Sequence, residues 1–558
     1  MDIKEHNNLI DTSLGKIPPS IFFDNVNIFN VDTGTIEKNN IFISGKRIAY
    51  IGSKYPLISD TTNIIKLNDN QILVPGYIEP HAHPNQIYNP YTYGKYLTSK
   101  GTTVSINDNL TLFTNLNESN VQEFISFLDS TKEHTWLWSA YFEGNTEYYC
   151  NYLDSWANNH FVVQGGELTY WSPLKYRDQN LYTKLFKLRQ VLNKRIEGHL
   201  PGASIDTLNV LGAAGITADH ESMNINDLIK RLSLGYYVAL RFSSIRPDLP
   251  KIIRELKNYP NINLSKLMFT NDGASANFLK NSTHSQMIKI ALENGLKPEE
   301  AYRMATINAA VYYRLDHLFG NIAPGRVANI NVIESLSDPE PTSVMMDGEW
   351  KVRDSKMVIS TDKSEIVERY FAREKKDIIL KSMDTTINIG IQLMNDVITR
   401  KYHFDIESDL EDDECFITYI NRNDSSFINT RIKGFSTSLT ALVSTYSASQ
   451  DYILIGKNKE EMIKLLHEMF KEDEGILAVF NKYEKIKLIL PLCGIMSTKQ
   501  IEDLDIEVET LVRKIKDSGY KFGDPTYTLL FLTAMHLPYV RFNKNGLIDI
   551  KTMKIIKE

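Results

Sequence analysis

The sequence predicts an α/β protein: a TIM-like (β/α)8 barrel, a β-sandwich beside it and a C-terminal α+β domain. Three observations carry this. Apolar strand-like runs alternate with helix-like runs eight times between residue 71 and about residue 310. Short strands with polar turns precede that stretch and return after it. A charged segment then separates it from a last part in which strands and helices follow no such alternation. A doubly wound sheet is the alternative reading of the central alternation.

Residues 1–74 carry the first half of the sandwich. Ile21-Phe22-Phe23, Val26-Asn27-Ile28-Phe29, Ile41-Phe42-Ile43 and Arg47 to Gly52 read as strands, punctuated by Asp32-Thr33-Gly34 and Ser44-Gly45-Lys46. Residues 75–320 hold the barrel. Its eight strands are expected at Ile72 to His83, Thr102 to Asp108, Trp136 to Glu143, Phe161 to Glu167, Arg195 to His199, Ile216 to His220, Tyr237 to Phe242 and Lys266 to Asp272. Helices are expected at Ile205 to Ala214, Ile225 to Leu234, Leu249 to Tyr259 and within 285–314, from apolar residues at helical spacing. Residues 321–360 return as strands, Ile330 to Ile333 and Ser343 to Glu349, that rejoin the sandwich, because neither half is large enough to bury a core alone. Residues 361–558 form the α+β domain. It opens on a charged stretch, Glu365 to Asp377, read as a solvated helix or linker.

Composition narrows the function. With 558 residues the chain exceeds one ordinary domain, and 42% hydrophobic with 23% charged residues fits a soluble globular protein. A net charge of -7 argues against a nucleic-acid partner. Cys150, Cys415 and Cys493 lie too far apart for a zinc ribbon or a disulfide framework, which points to a reducing compartment. The first residues lack a basic region followed by an apolar core, and no run reaches about 18 apolar residues. A cytoplasmic enzyme with no membrane partner is therefore expected, and a homo-oligomer is compatible with it.

In a (β/α)8 barrel the chemistry sits at the C-terminal ends of the strands. Here those ends are His81 and His83, Glu167, His199, Asp219-His220-Glu221 and Asn271-Asp272. His81 and His83, two apart on an extended segment, share a face. Imidazoles and carboxylates in this mixture suit one or two divalent transition metals. Glu167 between two cations would offset their repulsion, and Asp272 could accept a proton from an activated water and pass it to a leaving nitrogen or oxygen. The chemistry implied is hydrolysis at a carbon bearing a leaving group. Glu79, on the same strand as His81, is expected to point away. His6, His134, His160, His284, His317, His403, His467 and His536 fit no such pattern and are background. Cys150 has no visible base, which argues against a cysteine nucleophile.

These residues carry a family resemblance. The chain resembles the amidohydrolase superfamily and, within it, the bacterial adenine deaminases, as a divergent subgroup. The matching motifs are Pro75-Gly76-Tyr77-Ile78-Glu79-Pro80-His81-Ala82-His83, Gly101-Thr102-Thr103, Gly166-Glu167, Gly198-His199-Leu200-Pro201-Gly202, Gly215 to Glu221 and Thr270-Asn271-Asp272. Arg303 to Ala310, Ile322 to Arg326, Leu490 to Ser497 and Asp524-Pro525 extend the match beyond the barrel. The resemblance implies hydrolytic deamination of adenine to hypoxanthine and ammonia, with manganese or iron as the usual metal and zinc as a further option. It implies His81, His83, Glu167, His199, His220 and Asp272 as ligands, with Glu167 bridging and with Asp272, Glu167 and His220 at the reacting centre. Glu221, Arg241 and Ser243 are candidates for contacting a purine-like substrate.

The sequence departs from that family in three places. An Asp-Pro-His-Glu run usual after the second strand is here Asp108-Asn109-Leu110-Thr111. The first of two aspartates after strand eight is here Asn271, so the ligand is placed on Asp272 with Asn271 as the alternative register. A His-Asp-Ser-His run of the C-terminal domain is replaced within Ser444 to Asp451, which holds no histidine. These departures keep two other readings open: the same site acting on another aminated heterocycle or a cyclic amide, and a non-catalytic metal-binding relative.

Overall fold

The computed structural model describes residues 1–142, 153, 155–358, 361–373, 378, 380, 383–385, 387–481 and 484–556. Its centre is a sheet of eight parallel strands: Tyr77–Ala82, Thr102–Asn107, Thr135–Ala140, Val162–Leu168, Arg195–Gly198, Ala218–Asp219, Tyr237–Arg241 and Leu267–Thr270. Each lies beside its predecessor in sequence, the order of a barrel and not of a doubly wound sheet. The third strand ends at Ala140, and its expected end at Glu143 lies outside the described residues.

Side chains zip the seam between the last strand and the first. Thr270 Oγ1 donates to Glu79 Oε1 at 2.6 Å, and the Asn271 N–H donates to Glu79 Oε2 at 3.0 Å. Glu79 therefore does not point away as expected; it stands two residues before His81, on the same face of the strand. It is fully buried, and burial pushes its carboxyl up to about 7. Near the N-terminal ends of the strands, Ile78, Val104, Ala218, Ala239 and Met268 pack with Ala309, Tyr312 and Tyr313, so that end is an apolar plug. The polar strand ends are left to the opposite face.

The first expected strand is divided. Ile72–Pro75 belongs to an outer sheet, and only Tyr77–Ala82 enters the barrel. Gly76 makes the transfer. Its N–H donates to Asn329 O at 2.9 Å, while the next N–H, of Tyr77, donates to Gly101 O at 2.9 Å. A Cβ at Gly76 would lie 2.4 Å from Thr103 Oγ1, so only glycine lets the two sheets approach this closely.

The flanking strands form one nine-stranded hydrogen-bonded sheet. Ile72–Pro75 lies at its middle, between Ile21–Asn30 and Ile330–Ile333. The two strands expected at Ile21 and Val26 are one strand bulged between Phe23 and Val26, where Asn25 takes φ 54°. The sequence reading did not foresee a helix at Ile3–Leu14, which a capping box between Asp2 and Glu5 opens and Gly15 ends.

Beyond the barrel, a second eight-stranded sheet spans Ile389–Leu393 to Glu484–Ile489, with helices Lys459–Lys471 and Ile501–Asp517. The charged stretch before it is not merely solvated. Ser364–Phe371 is a helix that buries Val367 and Phe371, the latter against Phe124 at a ring separation of 5.0 Å. The C-terminal part docks on loops that follow barrel strands one, seven and eight. Ser497 N–H donates to Ile87 O (2.6 Å), Tyr446 Oη–H to Gln86 Oε1 (2.8 Å) and Tyr527 Oη–H to Gly273 O (2.7 Å), while Ser244 Oγ–H donates to Tyr527 Oη (3.2 Å). Among the described residues no helix is long and apolar enough to cross a membrane.

Candidate metal centre

Five strand ends bring six donors to one place. His81 Nε2 and His83 Nε2 lie 3.1 Å apart, each 3.2 Å from Asp272 Oδ1 and 3.8 Å from Glu167 Oε2. On the other side of Glu167, Oε1 lies 2.9 Å from His199 Nδ1 and 3.4 Å from His220 Nε2, which are 3.3 Å from each other. The two oxygens of Glu167 thus address two different histidine pairs. His81, His220 and Asp272, then His81, His83 and Glu167, then Glu167, His199 and His220 form overlapping triples with ligand atoms within 4.8 Å of one another. Imidazole nitrogens this close and aimed at shared carboxylates need a proton or a cation between them. The donor set fits a divalent transition metal.

The backbone contributes strain at this point. Asp272 takes φ 43° and Gly273 follows at φ 63°, which turns the chain sharply after strand eight. That turn directs the Asp272 carboxylate into the cluster, while Asn271 faces Tyr93 Oη at 3.4 Å. The register that leaves Asp272 at the centre is the one the structure adopts.

Sequence reasoning missed Glu197. It lies two residues before His199 on the fifth strand and is buried. Oε2 accepts from His81 Nδ1 at 2.9 Å and Oε1 pairs with His220 Nδ1 at 3.1 Å. One carboxylate therefore backs a histidine from each side of the cluster, leaving both Nε2 atoms facing inward. A buried glutamate two residues from a ligand histidine was the only available signal, and on a barrel strand it is a weak one.

Glu221, Arg241 and Ser243 lie behind Asp272, buried and bonded to one another. Arg241 Nη1 donates to Glu221 Oε1 at 2.7 Å and also to Asp272 Oδ2, and Arg241 Nε donates to Ser243 Oγ at 2.9 Å. Arg246 adds a second cation to Glu221 at 2.6 Å.

Charge balance decides the protonation states. Burial alone would favour neutral acids, but His199 and His220 hold Glu167 well below the usual carboxylate range. Against the same burial, Arg241 and His220 hold Asp272 well below that range, and His81 and His220 hold Glu197 at about 2. Burial works against charge on His81 as well, yet Glu197 and Asp272 raise it well above its ordinary value. These three carboxylates are thus ionised, with a protonated His81 beside Glu197 and Asp272. A metal cation would replace that proton, since imidazole ligates when neutral.

After the second strand, Asn109 is committed to the fold. Its Nδ2 donates to Ser139 O at 2.8 Å and its Oδ1 accepts from Tyr141 N at 3.2 Å, while Leu110 is 40% exposed. Asp108 Oδ1 lies 3.9 Å from His83 Nδ1.

Comparison with known proteins matches this architecture. A model of the amidohydrolase family covers residues 72–351, and one of the adenine deaminase C-terminal domain covers residues 393–554. A Bacillus cereus protein named "Putative adenine deaminase" is 36% identical over 99% of this chain and 95% of its own. A Thermosipho melanesiensis protein named "Adenine deaminase" is 27% identical over 100% of this chain and 99% of its own. Among solved structures, a β-aspartyl dipeptidase from Fervidobacterium islandicum is 17% identical, covers 61% of this chain and 99% of its own, and superposes with a TM-score of 0.48. The chain belongs to the amidohydrolase family.

Proposed function

We propose that this chain is a metal-dependent aminohydrolase that converts adenine and water to hypoxanthine and ammonia in the cytoplasm. The observation that carries this reading is the six-donor cluster divided by Glu167, in a chain whose full-length relatives bear the adenine deaminase name. His81, His83 and Asp272 would hold one cation, His199 and His220 a second, with Glu167 bridging; manganese or iron is the metal proposed, with zinc as a further option. A divalent ion held there supplies Lewis-acid activation of water at neutral pH.

The remaining work falls to this chain's own side chains. Asp272, ionised and acceptor-only, takes a proton from the attacking water and returns it to the departing nitrogen. Arg241 keeps Asp272 oriented and charged from behind, and Glu221 and Ser243 fix Arg241 in turn. Glu197 keeps two imidazoles in the tautomer that presents Nε2. In this reading residues 75–320 are the catalytic barrel, residues 1–74 and 321–360 are the two halves of one β unit that braces it, and residues 361–558 cover its mouth.

A second substrate class is motivated by the wall beside His83. Asn109 is locked to Ser139 and Tyr141, and Leu110 and Thr111 offer no acid or imidazole, so another aminated heterocycle or a cyclic amide would meet a less polar surface. One experiment separates the readings. Manganese- and iron-loaded protein is assayed for ammonia from adenine and related purines and for ring opening of hydantoins and lactams. Ammonia from adenine supports the first reading; ring opening without it supports the second. Protein that binds metal stoichiometrically yet turns over neither class refutes both.

A further inference from the structure

The cluster is not evenly sealed. The side chains of His81, His220 and Asp272 are 4%, 0% and 5% exposed, whereas those of His83 and His199 are 29% and 21% exposed. The opening to solvent therefore lies on the His83 and His199 side. At that opening stands a residue of the C-terminal part, His536, with its ring centroid 6.4 Å from that of His199 and the planes 87° apart. This separation is too small to admit another ring between them, so His536 extends the wall that His199 begins.

His536 is exposed, and among the described residues its ring makes no hydrogen bond or ion pair. Its backbone, by contrast, is well framed. Ser449 N–H donates to Thr533 Oγ1 at 3.0 Å, Leu537 N–H to Ala534 O at 3.2 Å and Phe542 N–H to Leu532 O at 2.9 Å. The preceding helix, Pro525–Phe531, is fastened by Tyr527 to the carbonyl of Gly273, next to Asp272. Among the described residues, a framed loop thus presents an uncommitted imidazole at the open side of the metal cluster.

We infer that His536 is a substrate-contacting residue, supplied by the C-terminal domain, that hydrogen-bonds a ring nitrogen of the heterocyclic substrate. The inference rests on the deaminase reading above. A neutral imidazole carries one donor and one acceptor, and an aminopurine displays ring-nitrogen acceptors beside its amino donor. Held by loops from two parts of the chain, the substrate would be read on one edge by His536 while its amino carbon faces the cluster.

The test uses manganese-loaded wild type, His536→Ala and His536→Gln. KM and kcat are measured by ammonia release from adenine, and inhibition constants are taken for 1-, 3- and 7-deazaadenine, each of which replaces one ring nitrogen by C–H. His536→Ala is expected to raise KM about tenfold, the size of one lost hydrogen bond, with kcat and metal content unchanged. One deaza analogue should bind wild type more weakly than the others do, and that gap should vanish in His536→Ala and partly return in His536→Gln, which keeps a donor. An unchanged KM, a gap that persists in His536→Ala, or loss of metal from that variant overturns the assignment. No ammonia from adenine by wild type overturns the reading it rests on, and the assignment with it.

Discussion

Glu197 has two oxygens and two histidines to serve. His81 and His220 each need Nδ1–H pointing at it if Nε2 is to stay free for a cation. An amide in its place offers one acceptor and one donor, so one imidazole must adopt the other tautomer and turn an N–H toward the metal. Glu197→Gln is therefore expected to weaken metal affinity about 10–100-fold, measured by chelator competition and elemental analysis. Equal retention of metal by the variant and wild type would refute the positioning role. Asp272→Asn tests a different property. It keeps a carbonyl oxygen near His81 and His83 but removes the proton acceptor, so metal should largely stay while kcat falls about a thousandfold. Near-normal turnover in that variant would remove Asp272 from proton transfer. Most of these side chains could be read from the strand ends, because the chemistry-bearing face of a barrel is fixed by strand direction. Glu197 and His536 could not. One is a glutamate within a strand, and the other is brought to the opening by contacts between residues far apart in sequence.

At the scale of elements, Gly76 divides what looks like one strand. The run from Ile72 into the histidines breaks only at Pro75-Gly76, and it reads across that break as one strand. The handover shows only in the partners, Asn329 on one side and Gly101 on the other. Gly76→Ala would drive Cβ against Thr103 Oγ1, itself 3.1 Å from Asn329 Nδ2, and neither group has room to swing away. A loss of about 1–3 kcal/mol is expected from such overpacking. Urea melts of metal-free protein measure it directly, and an unshifted midpoint would show that the junction is looser than drawn. Glu79 teaches a related lesson. Alternation puts Glu79 on the face of His81, but its role in the seam depends on Thr270 and Asn271, and so on how the eighth strand meets the first. The helices were more legible: Ile205–Ala214 falls where apolar spacing put it, with a polar N-cap, Ser204.

Over the whole molecule, two buried histidines outside the cluster set a response to acid. Burial lowers His134 to about 3 and His284 to about 3. His134 is hydrogen-bonded to Thr98 Oγ1 at 2.9 Å and to Ser105 Oγ at 2.8 Å. Unfolded, both would take up a proton near pH 6.5, so below that pH the unfolded chain binds more protons than the folded one. Their contribution to stability is full above pH 6.5 and is lost as the pH falls toward 3, each at about 1.4 kcal/mol per pH unit. Urea unfolding of metal-free protein between pH 7 and 4 should show this decline. His134→Gln, which keeps a donor and an acceptor, should flatten it by about one histidine's share, and an unaltered slope would assign the loss to other groups.

The outer sheet carries a consequence for how the chain is assembled. Pro75 and Ile330 are partners in one ladder, yet the entire barrel lies between them in sequence. On a ribosome the barrel must emerge before its buckle can close, so Ile72–Pro75 waits with one edge unpaired until Ile330–Ile333 arrives. Contacts this distant in sequence are costly to form and slow folding. Once made, they tie both ends of the barrel to one sheet, so neither end can fray without breaking a ladder on the other side. A fragment cut before residue 330 would leave that edge open, and exposed edges of this kind recruit other chains. The sheet thus closes the barrel's frame as well as bracing it, before the C-terminal part that follows it in sequence can dock.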